Sequence, residues 1–119
     1  MFYKHRIMKI TLSDCEHYTW GNACDGWHFL KSPTLNVIKE QMPSGTSEAL
    51  HYHAKAQQLF YILSGLATFE IEGELLEVKA NEVMHIAAGK RHRIFNNQEE
   101  VLVFLLVSEP PAQNDRVNV

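Results

Sequence analysis

Near the middle of the chain, His51-Tyr52-His53-Ala54-Lys55-Ala56-Gln57-Gln58 sets two histidines two positions apart, with a side-chain amide shortly after. Side chains of a strand alternate between faces, so His51 and His53 project the same way and can share one ion. A helix would separate them. A third imidazole, His92, stands in a second cluster downstream.

The spacing extends outward in both directions. The first run reads Gly45, five residues, His51, one, His53, four, Gln58, six, Gly65. Fifteen residues later comes Asn81, five residues, Ala87, one, Gly89, two, His92, three, Asn96. These runs resemble the paired motifs of the cupin superfamily, Gly-x5-His-x-His-x3,4-Glu-x6-Gly and Gly-x5-Pro-x-Gly-x2-His-x3-Asn. All ten motif positions keep the spacing and seven carry the expected residue. Gln58, Asn81 and Ala87 depart from the pattern, where Glu, Gly and Pro are usual. The last two are turn and strand-end positions, whereas Gln58 falls at a ligand position. Gln57 is its neighbour, but only Gln58 keeps the interval of six to Gly65.

The resemblance implies an all-β fold, a cupin-type barrel (a double-stranded β-helix, or jelly roll) that carries a divalent metal. It implies His51, His53, Gln58 and His92 as the ligand set, with Gln58 alternatively holding a ligand water. Three imidazoles accept Fe, Zn, Ni, Mn or Cu and select none of them. An amide oxygen adds no charge, so the ion's charge stays uncompensated, which favours an anionic substrate and ferrous over ferric iron. Four protein ligands leave positions open for water or substrate.

The remaining sequence has the punctuation of a β-protein. Strands are expected at 35–42, 59–63, 66–71, 75–79, 83–86, 92–96 and 101–107, with Glu72-Gly73-Glu74 as a hairpin turn. No apolar period of 3.6 lasts three turns, and a short helix is expected only near Ser13 to Trp20. The chain divides into an N-terminal extension, 1–34, packed on or swapped with the barrel; a barrel, 35–108; and an extended or disordered tail, 109–119. Strand parity puts Phe60 and Ile62 with Gln58, and Ile94 with His92, as apolar lining of a substrate pocket. Tyr18 to Trp27, including Trp20, reads as a cover over the barrel, or else as aromatic walls for a substrate. Glu48, Tyr52, Tyr61 and His85 are further polar candidates, Tyr52 facing away from the histidines.

Composition bounds the function. With 119 residues, 45% of them hydrophobic, the chain can bury one core. A formal charge of −3 argues against nucleic acid as the main partner. The basic run Lys90-Arg91-His92-Arg93 is either a solvated loop or an anion attractor. No run approaches a membrane span, and Met1 to Arg6 lead into no secretory signal, so a cytoplasmic location is expected. Cys15 and Cys24 fit neither a metal knuckle nor a redox pair. Both faces of Leu59 to Leu63 are apolar, which calls for a second cover and suggests a homodimer. Two function classes stay open: a metal-dependent enzyme on a small anionic or chelating substrate (a dioxygenase-like oxygenase, or an isomerase or lyase), and a non-catalytic module binding a sugar or small acid. A metal-free epimerase is disfavoured by the complete histidine set.

Overall fold

Each short run of β-branched and aromatic residues ends at a turn former, and the chain folds back at nearly every one. The structure, a computed structural model, describes residues 8–119; Met1 to Arg6, read above for a secretory signal, lie outside the described residues. Eleven strands follow one another: β1 Glu16–Trp20, β2 Cys24–Lys31, β3 Asn36–Met42, β4 His51–His53, β5 Gln57–Ser64, β6 Leu66–Ile71, β7 Glu74–Lys79, β8 Val83–Ile86, β9 His92–Phe95, β10 Leu102–Glu109 and β11 Arg116–Asn118. They form two antiparallel sheets, ordered β1-β2-β3-β10-β5-β8 and β11-β4-β9-β6-β7, in a double-stranded β-helix. No helix of the described residues is long and apolar enough to cross a membrane.

The inner faces meet in a core of Met42, Phe60, Ile62, Phe69, Ile94, Leu102 and Phe104, all at most 2% exposed. Phe60 sets its ring edge-on to Phe69, with centroids 5.0 Å apart, and lies tilted against Phe104 at 5.5 Å. Alternation along β5 turns Gln58, Phe60 and Ile62 inward and leaves Leu59 and Leu63 more than a third exposed. The free cysteines have no partner in each other: Cys24 is buried in the core and Cys15 is partly exposed.

One element differs from expectation, the helix, and the tail takes the extended of its two expected forms. The helix expected near Ser13 to Trp20 is a single 3-10 turn, Leu12–Asp14, followed directly by β1. Thr11 donates its N–H and its hydroxyl to the Asp14 carboxylate across that turn, and the reversal at Gly21 and Ala23, both at positive φ, folds β1 onto β2 as a hairpin. Cross-strand pairing thus supplies the backbone bonds that a helix would have made internally. The tail is also ordered by pairing. Asp115 accepts the N–H groups of Ala54, Lys55 and Ala56, and β11 then runs antiparallel to β4.

Gly65 and Gly73 both need positive φ, at 89° and 84°, but only Gly65 is crowded, because a Cβ there would lie 2.8 Å from the Val101 carbonyl oxygen. Gly65→Ala should therefore destabilise the fold by about 2–3 kcal/mol and Gly73→Ala by about 1 kcal/mol. Urea unfolding of the two variants measures the difference, and equal losses would contradict the steric account.

Candidate metal centre

The cup begins with one cross-strand pair. β4 and β9 are antiparallel with His51 opposite His92, and His53 lies two residues along the same face. All three side chains are buried, and their ligand nitrogens lie within 4.8 Å of one another. His51 Nδ1 shares a hydrogen bond with the Ala49 carbonyl at 2.8 Å, and His92 Nδ1 with that of Lys90 at 2.9 Å. A neutral imidazole that donates from Nδ1 presents a bare lone pair at Nε2. Burial keeps the rings neutral, lowering His51 to about 3 and shifting His53 and His92 in the same direction.

Gln58 completes the cup from the facing sheet. Its Nε2 donates to Ser108 Oγ at 3.0 Å, which turns Oε1 toward His92 Nε2 at 3.2 Å. Two lone pairs then face each other, a contact that a cation between them relieves. His53 Nδ1 is buried without a partner. Three neutral imidazoles, one of them with an orphaned nitrogen, and an amide oxygen together fit a divalent metal ion, and His51, His53 and His92 are the group that can hold it. Gln57 points the other way, its amide engaged by His85 and Glu109 on the outer face.

From the cup a cavity of about 260 Å³ runs along the inner face of the larger sheet. Its near end is a polar row across three strands, Asn36–Ser108–Gln58. Its middle is apolar, formed by Ile38, Phe60 and Leu106, and its far end holds Glu40, Tyr18 and Trp20. Glu48, in the loop before β4, and Arg116, on β11 of the opposite sheet, complete the lining. Tyr18 donates to Glu40 Oε2 at 2.5 Å, and it reaches that far because Gly26 between them has no side chain; a Cβ there would overlap the tyrosine ring. Glu48 accepts the Ile94 N–H at 3.1 Å and lies 3.8 Å from the Arg116 guanidinium. Burial pushes Glu40 up to about 7, against the Tyr18 bond and the Arg116 charge. It pushes Glu48 up to about 8, helped by the Glu40 charge and opposed by Arg116.

The cupin domain model matches residues 38–108. The chain belongs to the cupin family. Among curated relatives, an oxalate-binding protein of Thermotoga maritima is 34% identical over 67 residues, 56% of this chain and 55% of that one. An uncharacterized protein of Methanocaldococcus jannaschii is 28% identical over 89 residues, covering 75% of this chain and 71% of the relative. The structure of a predicted oxalate decarboxylase from Thermotoga maritima superimposes with a TM-score of 0.80 at 24% identity, covering 87% of this cupin and all of that chain. A Streptomyces protein solved with uridine gives 0.81 at 16% identity, covering 97% and 92%. At such identities the two structures speak for the double-stranded β-helix alone.

Not every residue singled out in the sequence reaches the site. Of Phe60, Ile62 and Ile94, only Phe60 lines the cavity; Ile62 and Ile94 face inward but lie among core side chains. Parity fixes the face of a residue and says nothing about its depth. Tyr18 and Trp20 make the N-terminal hairpin a cavity wall, whereas Trp27 packs against His17 and Lys39 away from it. The basic run is absent from the lining: Arg93 pairs with Glu70, and Arg116 is the cavity's cation. Tyr61 bonds Asn81 on the outer face, and Tyr52 pairs toward Val117. Glu48 was legible only as a candidate, while Glu40, Asn36 and Arg116 gave no local signal.

These shifts set the pH dependence of the metal-free protein. Below about pH 6.5 the unfolded histidines take up protons that the folded ones refuse, so stability falls as pH drops. Between about 4.5 and 8 the folded Glu40 and Glu48 hold protons that the unfolded chain has released, so their contribution falls as pH rises. Thermal unfolding should therefore show maximal stability at about pH 6–7, and Glu48→Gln should flatten the decline above it. A wild-type profile still rising at pH 8 would contradict the protonated carboxyls.

Proposed function

We propose that this cupin is a metal-dependent enzyme acting on a small chelating oxyanion by proton transfer, as a lyase or isomerase. The carrying observation is that two carboxyls with raised proton affinity line the cavity that opens from the cup. His51, His53 and His92 would hold a divalent transition metal, with Gln58 as a weaker fourth ligand. Bound there, such an ion supplies a Lewis acid that binds an oxyanion and stabilises charge developing on it.

The chain's own groups do the rest. Glu48, near neutral pKa, can give a proton to the substrate or take one from it, since a general acid–base works best near the operating pH. Arg116 holds the carboxylate form in place. Tyr18, bonded to Glu40, keeps the far carboxyl oriented toward the cavity. Ile38, Phe60 and Leu106 exclude water from between the two polar ends, which strengthens every charge interaction inside. An oxygenase would need no such pair of proton carriers.

A second reading is supported by the relative named as an oxalate-binding protein: the same cup used for recognition without turnover. One experiment separates the two. Metal analysis of untagged protein is followed by titration with a divalent ion, and then by turnover assays on oxalate, hydroxy acids and keto acids. Wild type should bind the metal, Gln58→Glu should tighten binding by the order of tenfold by adding a charged oxygen, and His53→Ala should lose it. Glu48→Gln should keep metal affinity and lose about 10²–10⁴-fold in turnover. Metal binding with no turnover on any acid would favour the recognition module; no metal binding would remove both readings.

Assembly is the remaining part of the proposal. Leu59 and Leu63, at 37% and 38% exposure, leave an apolar strip on the outer face of β5 that a second copy can cover with two-fold symmetry. Light scattering at micromolar concentration should report twice the chain mass, and a persistent monomer would show that this strip stays in water.

A further inference from the structure

Besides His53 Nδ1 in the cup, two buried polar atoms of residues lining the cavity have no partner. Asn36, 2% exposed, presents Oδ1 with nothing to accept from, and the Trp20 indole Nε1–H donates to nothing. Both residues line the same cavity. Buried polar groups are nearly always satisfied, and each one left alone costs stability comparable to a lost hydrogen bond. The orphans sit at opposite ends. Asn36 shares the row of Ser108 and Gln58 beside the cup, while Trp20 stands with Tyr18 and Glu40 at the far end. Trp20 pairs with Cys24, one step beyond the Asp25–Gln41 pair, so the backbones of the two orphans lie six residues apart along β3, about 20 Å, a span that the side chains from both ends shorten.

A ligand that satisfies both ends must offer a donor near the cup and an acceptor at the far end. A hydroxyl is both. The volume, about 260 Å³, equals roughly eight or nine waters and exceeds what a two-carbon diacid fills. A bare dicarboxylate would also place its second charge near Glu40 and Glu48. The apolar middle of the cavity suits the C–H face of an extended carbon chain.

We infer that the unpartnered Asn36 Oδ1 and Trp20 Nε1–H form a polar subsite that makes the substrate a polyhydroxylated carboxylic acid of about four to six carbons. The inference deepens the metal-dependent reading and rests on it for the carboxylate end. That end binds at the cup, the hydroxyls along the chain bond to Asn36, and the terminal one accepts from Trp20.

Calorimetric titration with two acids tests this. Gluconate and 2-hydroxyhexanoate share the carbon skeleton and the chelating end and differ only in the distal hydroxyls. With the protein carrying Zn²⁺, gluconate should bind at least about tenfold more tightly, as two satisfied buried groups require. Asn36→Leu keeps the branched shape while replacing both amide heteroatoms with methyls, and Trp20→Phe keeps an aromatic ring while removing the indole N–H. Each should reduce the gluconate preference several-fold while Zn²⁺ affinity is unchanged. Equal or weaker binding of gluconate by wild type with Zn²⁺ bound would overturn the inference and leave the metal reading standing. The same titrations without metal keep the two apart, because failure to bind Zn²⁺ with the gluconate preference intact would overturn the metal reading alone. A preference unaffected by either variant would also overturn the inference, since the hydroxyls would then be recognised elsewhere.

Discussion

The antiparallel pair His51–His92 is the contact through which the site is assembled. It is the single registered pair between β4 and β9, and it joins a three-residue strand to the rest of its sheet. Side-chain period is two, so a slip of one residue would turn His51 and His53 to the outside and scatter the cup. Such a short strand cannot hold its register alone. It is clamped from both ends: Val119 N–H donates to the Leu50 carbonyl at 3.1 Å just before it, while after it Gly89 N–H donates to the His53 carbonyl at 2.7 Å and Asp115 gathers the next three N–H groups. The C-terminal segment is therefore part of the site. It fixes the register and then delivers Arg116 into the cavity.

The electrostatics of the two ends follow from burial rather than from net charge. Desolvation disfavours the charged form of every group, lowering the histidines and raising the carboxyls. Near neutral pH the cup is uncharged and ready to ligate, while Glu40 and Glu48 keep their protons close to release. Arg116 alone stays cationic. A divalent ion would then enter a cavity whose compensating charge comes from deprotonating the far carboxyls or from an anionic ligand, which would couple metal, anion and proton.

The legible part of this structure was the part encoded locally. His51 and His53 announce their shared face by spacing, and turn glycines such as Gly65 and Gly73 mark strand ends because their backbone angles demand it. Strands β5 to β10 were readable for the same reason. The illegible part depends on non-local register. Glu40 and Asn36 look like ordinary polar residues of β3 until pairing with β10 sets them on the inner face, where Ser108 and Phe104 are their neighbours. β1 carried no strong period, since only Tyr18 and Trp20 face inward and the rest of the strand is exposed. Ile62 and Ile94 show the limit from the other side, with face assigned correctly and depth beyond reach of a parity argument.

Gly26 ties the N-terminal hairpin to the cavity. It has no side chain at the point where β2 passes between β1 and β3, and the Tyr18 ring fills that space to bond Glu40. Any larger residue would push the ring away and leave a buried carboxyl without its donor, a more costly state than losing both partners together. The cup and the far wall thus have separate structural origins. The cup comes from the spacing of two motifs on β4 and β9, and the far wall from an edge hairpin laid on the same sheet. A fold that hosts many chemistries can vary the second while keeping the first, and in this chain the residues that discriminate among ligands are to be sought on β1, on β3 and at Arg116 rather than among the histidines.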